Sequence, residues 1–251
     1  MAEIKSTAVQ GGFGHTQRRD AWWIENLPAW ILLGGFGIYA TLRAFKGDYF
    51  QTGPYLSPFY SPLIDADHHF WKWSPALLIL AFPLGFRMTC YYYRKAYYRA
   101  FFLDPPACAV GEPRRKYKGE TKFPFILQNL HRYFLYFALI FIVFLWKDTI
   151  EAFWYEGHFF VGVGSLVFLA NIILLTLYAF SCHSLRHLVG GKLDCFSCTA
   201  AAKSRHGVWK KASFLNERHM LFAWCSLISV GFADFYVWMV AAGYLKDIRI
   251  L

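Results

Sequence analysis

Five stretches of this chain are nearly unbroken runs of apolar side chains, and polar residues are confined to what lies between them. The runs are Trp30–Phe45, Pro75–Tyr93, Tyr133–Trp146, Phe159–Cys182 and Met220–Tyr244. A helix needs about 20 residues, at about 1.5 Å rise each, to cross about 30 Å of hydrocarbon. Four runs approach that length. The third reaches it only when extended back through Gln128, which brings His131 and Arg132 to one interface. Apolar side chains surround each segment and do not alternate with period two, which is a helical pattern and not that of barrel strands. The pattern predicts an all-α integral membrane protein of five transmembrane helices, over residues 28–45, 75–93, 127–146, 159–187 and 220–244 of a single membrane domain, 1–251.

Composition agrees. Of 251 residues, 57% are hydrophobic, 21% aromatic and only 17% charged, whereas a soluble domain carries about a quarter charged residues. Mean hydropathy is +0.29. Tryptophan and tyrosine gather near the run ends, at Trp22, Trp23, Trp30, Trp71, Trp73, Tyr91, Tyr92, Tyr93 and Tyr155, as interfacial belts do. The first 29 residues are polar to mixed and lack the pattern of a secretory signal.

Charge then sets the orientation. Lys5, Arg18 and Arg19 lie in 1–29. Eight cations lie in 94–122 (Arg94, Lys95, Arg99, Arg114, Arg115, Lys116, Lys118, Lys122) and seven in 183–219, eighteen on one side in all. The other side has Lys46 and Lys72 in 46–73, Lys147 in 147–158, and Lys246 and Arg249 at the end, five in all. Positive residues stay inside, so the N-terminus is expected in the cytoplasm and the C-terminus outside. The net charge of +10 thus reads as topology plus a basic cytoplasmic platform for a soluble partner or anionic headgroups, and not as a nucleic-acid surface.

The densest chemistry is SCHSLRHLVGGKLDCFSC, residues 181–198. His183 and His187, at i and i+4, share a helix face. Gly190 and Gly191 supply a helix stop, and Cys195 and Cys198 form a C-x-x-C pair able to converge on one metal. A cytoplasmic thiol pair points to metal or redox chemistry before a structural disulfide. Two groups suit the set His183, His187, Cys195 and Cys198: structural zinc or a Rieske-type [2Fe–2S] cluster. Cys182 is a spare ligand. One haem is a third possibility, with His131, His183, His187 and His219 all at cytoplasmic span ends.

Within this stretch, SLRHLVGG (184–191) carries Arg186-His187-Leu188, which resembles the R-H-L segment after the haem-ligand helix in membrane anchors of succinate dehydrogenases. With the five-span layout and the cytoplasmic N-terminus, 181–198 resembles the single membrane-anchor subunit of an actinobacterial succinate dehydrogenase. The resemblance implies a multi-pass subunit of the plasma membrane, without activity of its own. It would hold flavoprotein and iron–sulfur subunits on the cytoplasmic face and pass electrons from succinate to a quinone, menaquinone being expected, with a higher oligomer of the complex open. The family's haem histidine falls near Phe180, which cannot ligate iron. The His and Cys cluster is then the substitute relay, which favours [2Fe–2S], with haem b and zinc as alternatives.

Polar groups at membrane depth complete the picture. Arg87 and Asp234 lie inside the second and fifth spans, where a charge is costly and marks a site or a packing partner. With His131 they are the quinone candidates, able to hydrogen-bond a carbonyl oxygen and relay its protons. His68 and His69 read as interfacial, and Cys90 and Cys225 as small apolar packing residues. A zinc-bearing scaffold and a transporter built on Arg87 and Asp234 are the competing functions; the missing internal repeat counts against the transporter.

Overall fold

The computed structural model describes residues 12–64, 73–113 and 121–251. Lys5, His68, His69, Trp71, Lys72, Arg114, Arg115, Lys116 and Lys118 fall outside the described residues. The helices are α1 (Leu27–Lys46), α2 (Pro75–Thr89), α3 (Tyr91–Tyr97), α4 (His131–Glu151), α5 (Val163–Phe180), α6 (His183–Gly190), α7 (Ala200–Asn216) and α8 (His219–Ala241). Short hairpins pair β1 (Gln51–Thr52) with β2 (Tyr55–Leu56), and β3 (Trp154–Tyr155) with β4 (His158–Phe159).

Four segments are long and apolar enough to cross a membrane: Trp22–Lys46, Phe125–Glu151, Val163–Phe180 and His219–Ala241. A fifth is reached if the broken pair Pro75–Thr89 and Tyr91–Phe102 counts as one span. The second expected span therefore does not run through to Tyr93 as one helix. Its break is at Cys90, whose backbone is extended (φ −68°, ψ 130°) and whose carbonyl accepts from Arg94 N–H to start α3.

The third expected span is met and the fourth is corrected. The third run, shortest in the sequence, belongs to a 27-residue crossing. Polar residues at its ends, Gln128, His131, Asp148 and Thr149, are buried, so protein and not lipid surrounds them. The fourth run does not extend over 159–187. Residues 154–159 form the β3–β4 hairpin, turned by Glu156 (φ 51°) and Gly157 (φ 82°), the paired positive φ of a two-residue hairpin turn. At the far end Cys182 is extended (φ −65°, ψ 136°) and its sulfur accepts from Ser184 N–H, so α6 starts as a separate helix. Gly191 caps α6, as the Gly190-Gly191 pair suggests.

Contacts gather into two units, one of residues up to Ile38 together with Met88–Asn129, the other of Tyr39–Arg87 with Leu130–Leu251. In the first, the N-terminal segment laces onto 108–111: Gly14 N–H donates to Gly111 O at 3.0 Å, Gly111 N–H to His15 O at 2.8 Å and Thr16 Oγ to Ala109 O at 2.7 Å. In the second, α5 packs between α4 and α8. Ile142, Ile172 and Ala179 form a core with Leu145 and Trp146. Ser229 Oγ donates to Asn171 Oδ1 (2.9 Å) and Trp146 Nε1 to Thr176 Oγ1 (3.1 Å), the interhelical bonds that a lipid-solvated bundle uses where apolar association drives little. Gly85 lets α2 close on α4, since a Cβ there would lie 2.3 Å from the Phe134 ring. Leu42, Val143 and Phe232 remain exposed, as side chains solvated by lipid do.

Candidate functional site

Helix directions bring the first residues of α4 and α8 and the last of α2 and α5 to one end of the second unit. There four rings stand together. Phe86 stacks on His131 (centroids 4.6 Å apart, 8° between planes) and meets Tyr178 edge-on at 5.4 Å. Tyr178 stacks on His219 at 5.1 Å. The Arg87 guanidinium lies 4.8 Å above the Tyr178 ring and donates to Ala223 O at 3.3 Å and Ser226 Oγ at 3.1 Å. Arg87 is thus held by hydrogen bonds to α8 and a cation–π contact with Tyr178.

His131 Nε2 is 3.1 Å from Cys182 Sγ, and the same ring bonds the Phe86 backbone. His219 Nδ1 is 2.7 Å from Ser181 Oγ. His131, Cys182, Ser181 and His219 are all buried. His183, exposed at the start of α6, is within electrostatic reach of both buried imidazoles.

The sequence-predicted metal set is not assembled. His183 and His187 share a face of α6 but are exposed. Cys195 and Cys198 are joined to each other in a disulfide, which leaves neither sulfur as a thiolate ligand. Among the described residues no three His, Cys, Asp or Glu side chains stand close enough to hold a metal ion. The four residues as folded here do not fit a cluster; the buried pair His131 and Cys182 has the donor chemistry and the dry surroundings that they lack. Phe180, the expected haem-ligand position, is 42% exposed, whereas the imidazoles of His131 and His219 are buried.

The quinone candidates separate. Arg87 and His131 share the ring cluster. Asp234 lies fifteen residues along α8 from His219, about 22 Å at helical rise. Its carboxylate accepts from Tyr39 Oη, from Arg43 Nε at 2.9 Å and from Ser57 Oγ. Arg43 also donates to the Asp48 carbonyl at 3.1 Å, and Tyr60 Oη to the Arg43 carbonyl at 2.8 Å. Nearby, Ser61 donates to Asp148 and Tyr55 to Asp247 (2.6 Å). At this end Asp234, Asp148 and Asp247 are each engaged by a hydroxyl from the 47–64 loop.

His219 and Cys182 carry a signal that spacing alone ranks low. A histidine opening a span twice, at 131 and 219, puts two imidazoles at one depth, and a cysteine two residues after the α5 end meets them there. Ser181, Tyr178 and Phe86 have no such mark in the sequence.

Comparison with known proteins matches this arrangement. Residues 24–243 match the family described as actinobacterial succinate dehydrogenase subunit SdhC. A solved structure, the Mycobacterium smegmatis Sdh1 complex in the apo form, holds a chain with 45% identity and a TM-score of 0.84, covering 94% of each chain. No curated protein sequence matches. A match over most of the length, on a bundle whose helices are built to span, fixes the assignment: the chain belongs to the actinobacterial SdhC family and is a membrane-anchor subunit of succinate dehydrogenase.

Proposed function

We propose that the chain passes electrons from the iron–sulfur subunit of its complex to a quinone of the plasma membrane, menaquinone by expectation, and that the ring cluster at the His131 end is where it does so. Succinate oxidation to fumarate releases two electrons and two protons, and reduction of quinone to quinol takes up the same. The anchor therefore has to relay charge and admit protons to the quinone oxygens.

The observation that carries this reading is the 3.1 Å contact of buried His131 Nε2 with buried Cys182 Sγ, with a second buried imidazole, His219, one ring stack away. His131 and Cys182 would supply one imidazole and one thiolate to a Rieske-type [2Fe–2S] group, the group also expected at His183, His187, Cys195 and Cys198; among the described residues no third such side chain stands close enough to the pair to complete a metal site. That group, when bound, supplies a one-electron relay whose neutral imidazoles raise its potential. Arg87 places a positive charge at membrane depth for a quinone carbonyl, while Phe86 and Tyr178 keep water from the group. The sequence count of eighteen cations against five supports a cytoplasmic position for the His131 end, with the C-terminus outside. The basic loops there suit docking of the flavoprotein and iron–sulfur subunits.

Iron and acid-labile sulfide in the mild-detergent complex test this. Cys182→Ala should remove one [2Fe–2S] equivalent and Cys195→Ala with Cys198→Ala should remove none. Loss confined to the double variant would return the relay to the loop. Zinc, or a haem spectrum, in the wild type would replace the cluster.

A further inference from the structure

Helices α6 and α7 form a hairpin outside the ring cluster, and the hairpin is closed from within. Arg205 Nε donates to Val189 O at 3.0 Å and its Nη2 to Gly191 O at 2.9 Å, which satisfies carbonyls that the end of α6 leaves open. The Arg186 guanidinium lies 4.9 Å from the Trp209 ring. Gly190 gives that ring its space, since a Cβ there would lie 2.3 Å from it. Thr199 caps α7, its hydroxyl accepting from Ala202 N–H at 3.1 Å, and Ala202 and Ala212 are buried.

The other side of α7 carries Lys203, Gly207, Lys210, Lys211 and Phe214, all exposed. Their spacing of i, i+4, i+7, i+8 and i+11 makes one stripe along the helix. Six cations stand against one acid, Asp194, over 183–216. Arg186 and Arg205 serve the hairpin, while the three lysines of the stripe face outward. Gly207 is the informative residue. A glycine inside a helix is unfavourable relative to alanine, and a Cβ at Gly207 would meet nothing within 4 Å. Rings of this chain require Gly85 and Gly190; among the described residues none requires Gly207.

We propose that this stripe seats the iron–sulfur subunit, an acidic patch of that subunit meeting Lys203, Lys210 and Lys211 while its surface approaches the α7 backbone closely at Gly207. This rests on the reading that the basic loops dock the soluble subunits, and it names the element that does so. A helix lying on lipid turns a continuous apolar face to the membrane; this stripe interleaves three lysines and a glycine with one aromatic. Opposed charge would steer the encounter and fix its register, and the contact weakens as salt screens it.

The test uses the whole complex, in mild detergent and in nanodiscs of neutral or anionic lipid. Wild type is compared with Gly207→Leu and with the triple variant Lys203→Gln, Lys210→Gln and Lys211→Gln. Gly207→Leu should raise the dissociation constant of the iron–sulfur subunit about 10-fold or more, with the amount of anchor in the membrane unchanged. The triple variant should release the subunit too and flatten the salt dependence of its release. Carbodiimide coupling with peptide mass spectrometry should join stripe lysines to Asp or Glu of the iron–sulfur subunit. If Gly207→Leu does not reach the membrane, the triple variant and the coupling decide. Wild-type retention in the variants with uncoupled stripe lysines would overturn the proposal, as would release confined to anionic nanodiscs, which would give the stripe to headgroups. Coupling of the subunit to 94–122 alone would overturn the stripe and keep the docking reading. A wild-type complex without either soluble subunit would overturn that reading itself, so the two failures are distinct.

Discussion

The two ends of the α4–α5–α8 bundle handle polar groups in an apolar medium in opposite ways. At the Asp234 end, charge is matched with charge. Arg43 meets Asp234 at 2.9 Å, hydroxyls complete the carboxylates, and the chain loops over the result. At the His131 end there is no carboxylate among the contacts described; Arg87 lies over an aromatic face, and a thiol meets an imidazole. The first arrangement fixes helices in place and engages the Asp234 carboxylate with protein donors. The second keeps groups of adjustable protonation and soft donor atoms, which is what redox and proton chemistry requires. Asp234, the residue whose cost in a membrane most suggests a function, has the partners of a packing residue.

The contrast is most sharply broken at Asp234 itself. Asp234→Ala leaves Arg43 buried beside an absent partner, a loss of about 3–5 kcal/mol. The expected result is a complex that unfolds at markedly lower temperature, with normal quinone KM in what survives. Replacing both partners, Asp234→Leu with Arg43→Met, should recover most of that stability. A quinone KM raised in either variant would give the Asp234 end a functional role. Next in size, His131→Ala should cut quinone reduction by about 100-fold, the upper range for loss of a ligand or its support, while thermal stability hardly moves. Stability lost and activity kept would exchange the roles of the two ends.

Arg87→Gln comes third. Quinone KM should rise about 10-fold, equivalent to about 1.4 kcal/mol, with succinate oxidation by a soluble acceptor intact. Unchanged quinone kinetics would leave Arg87 as a helix tie to α8. The smallest effect is at Tyr55, on the loop over the Asp234 end. Burial, then the hydrogen bond to Asp247, pushes its hydroxyl up to about 12. A raised value in the fold means that its contribution is complete below about pH 10 and is lost as pH rises through about 12. Tyr55→Phe should cost about 1 kcal/mol at neutral pH and flatten the fall in stability over that alkaline window.

Much of this was legible in the sequence, and what was not has a common cause. The first, third and fifth spans follow from apolar run length, because lipid tolerates no alternative. The break at Cys182 does not, since a cysteine after a long apolar run gives no propensity signal, and yet it separates α6 from α5 and turns His183 and His187 to the surface. Their i, i+4 spacing correctly puts them on one face, but spacing cannot say whether that face is buried. Cys195 and Cys198 are near each other, as C-x-x-C implies, and bond to each other. Ser57 and Asp234 are 177 positions apart, and no local pattern links a loop serine to a carboxylate at that distance. His131 and His219 were visible as histidines opening spans; only the fold brings Cys182 and Ser181 to them.

The loop over the Asp234 end also sets a schedule. Its hydroxyls at Ser61, Ser57 and Tyr55 are made early, and their partners Asp148, Asp234 and Asp247 come 87, 177 and 192 residues later. At about 5–20 residues per second of synthesis, Tyr55 waits about 10–40 s for Asp247. Arg43, in the first helix to enter the bilayer, spends most of that interval without Asp234. The nascent subunit therefore carries Arg43 with only its near neighbour Asp48 as counter-charge through most of that interval, and this end closes only when α8 is in place.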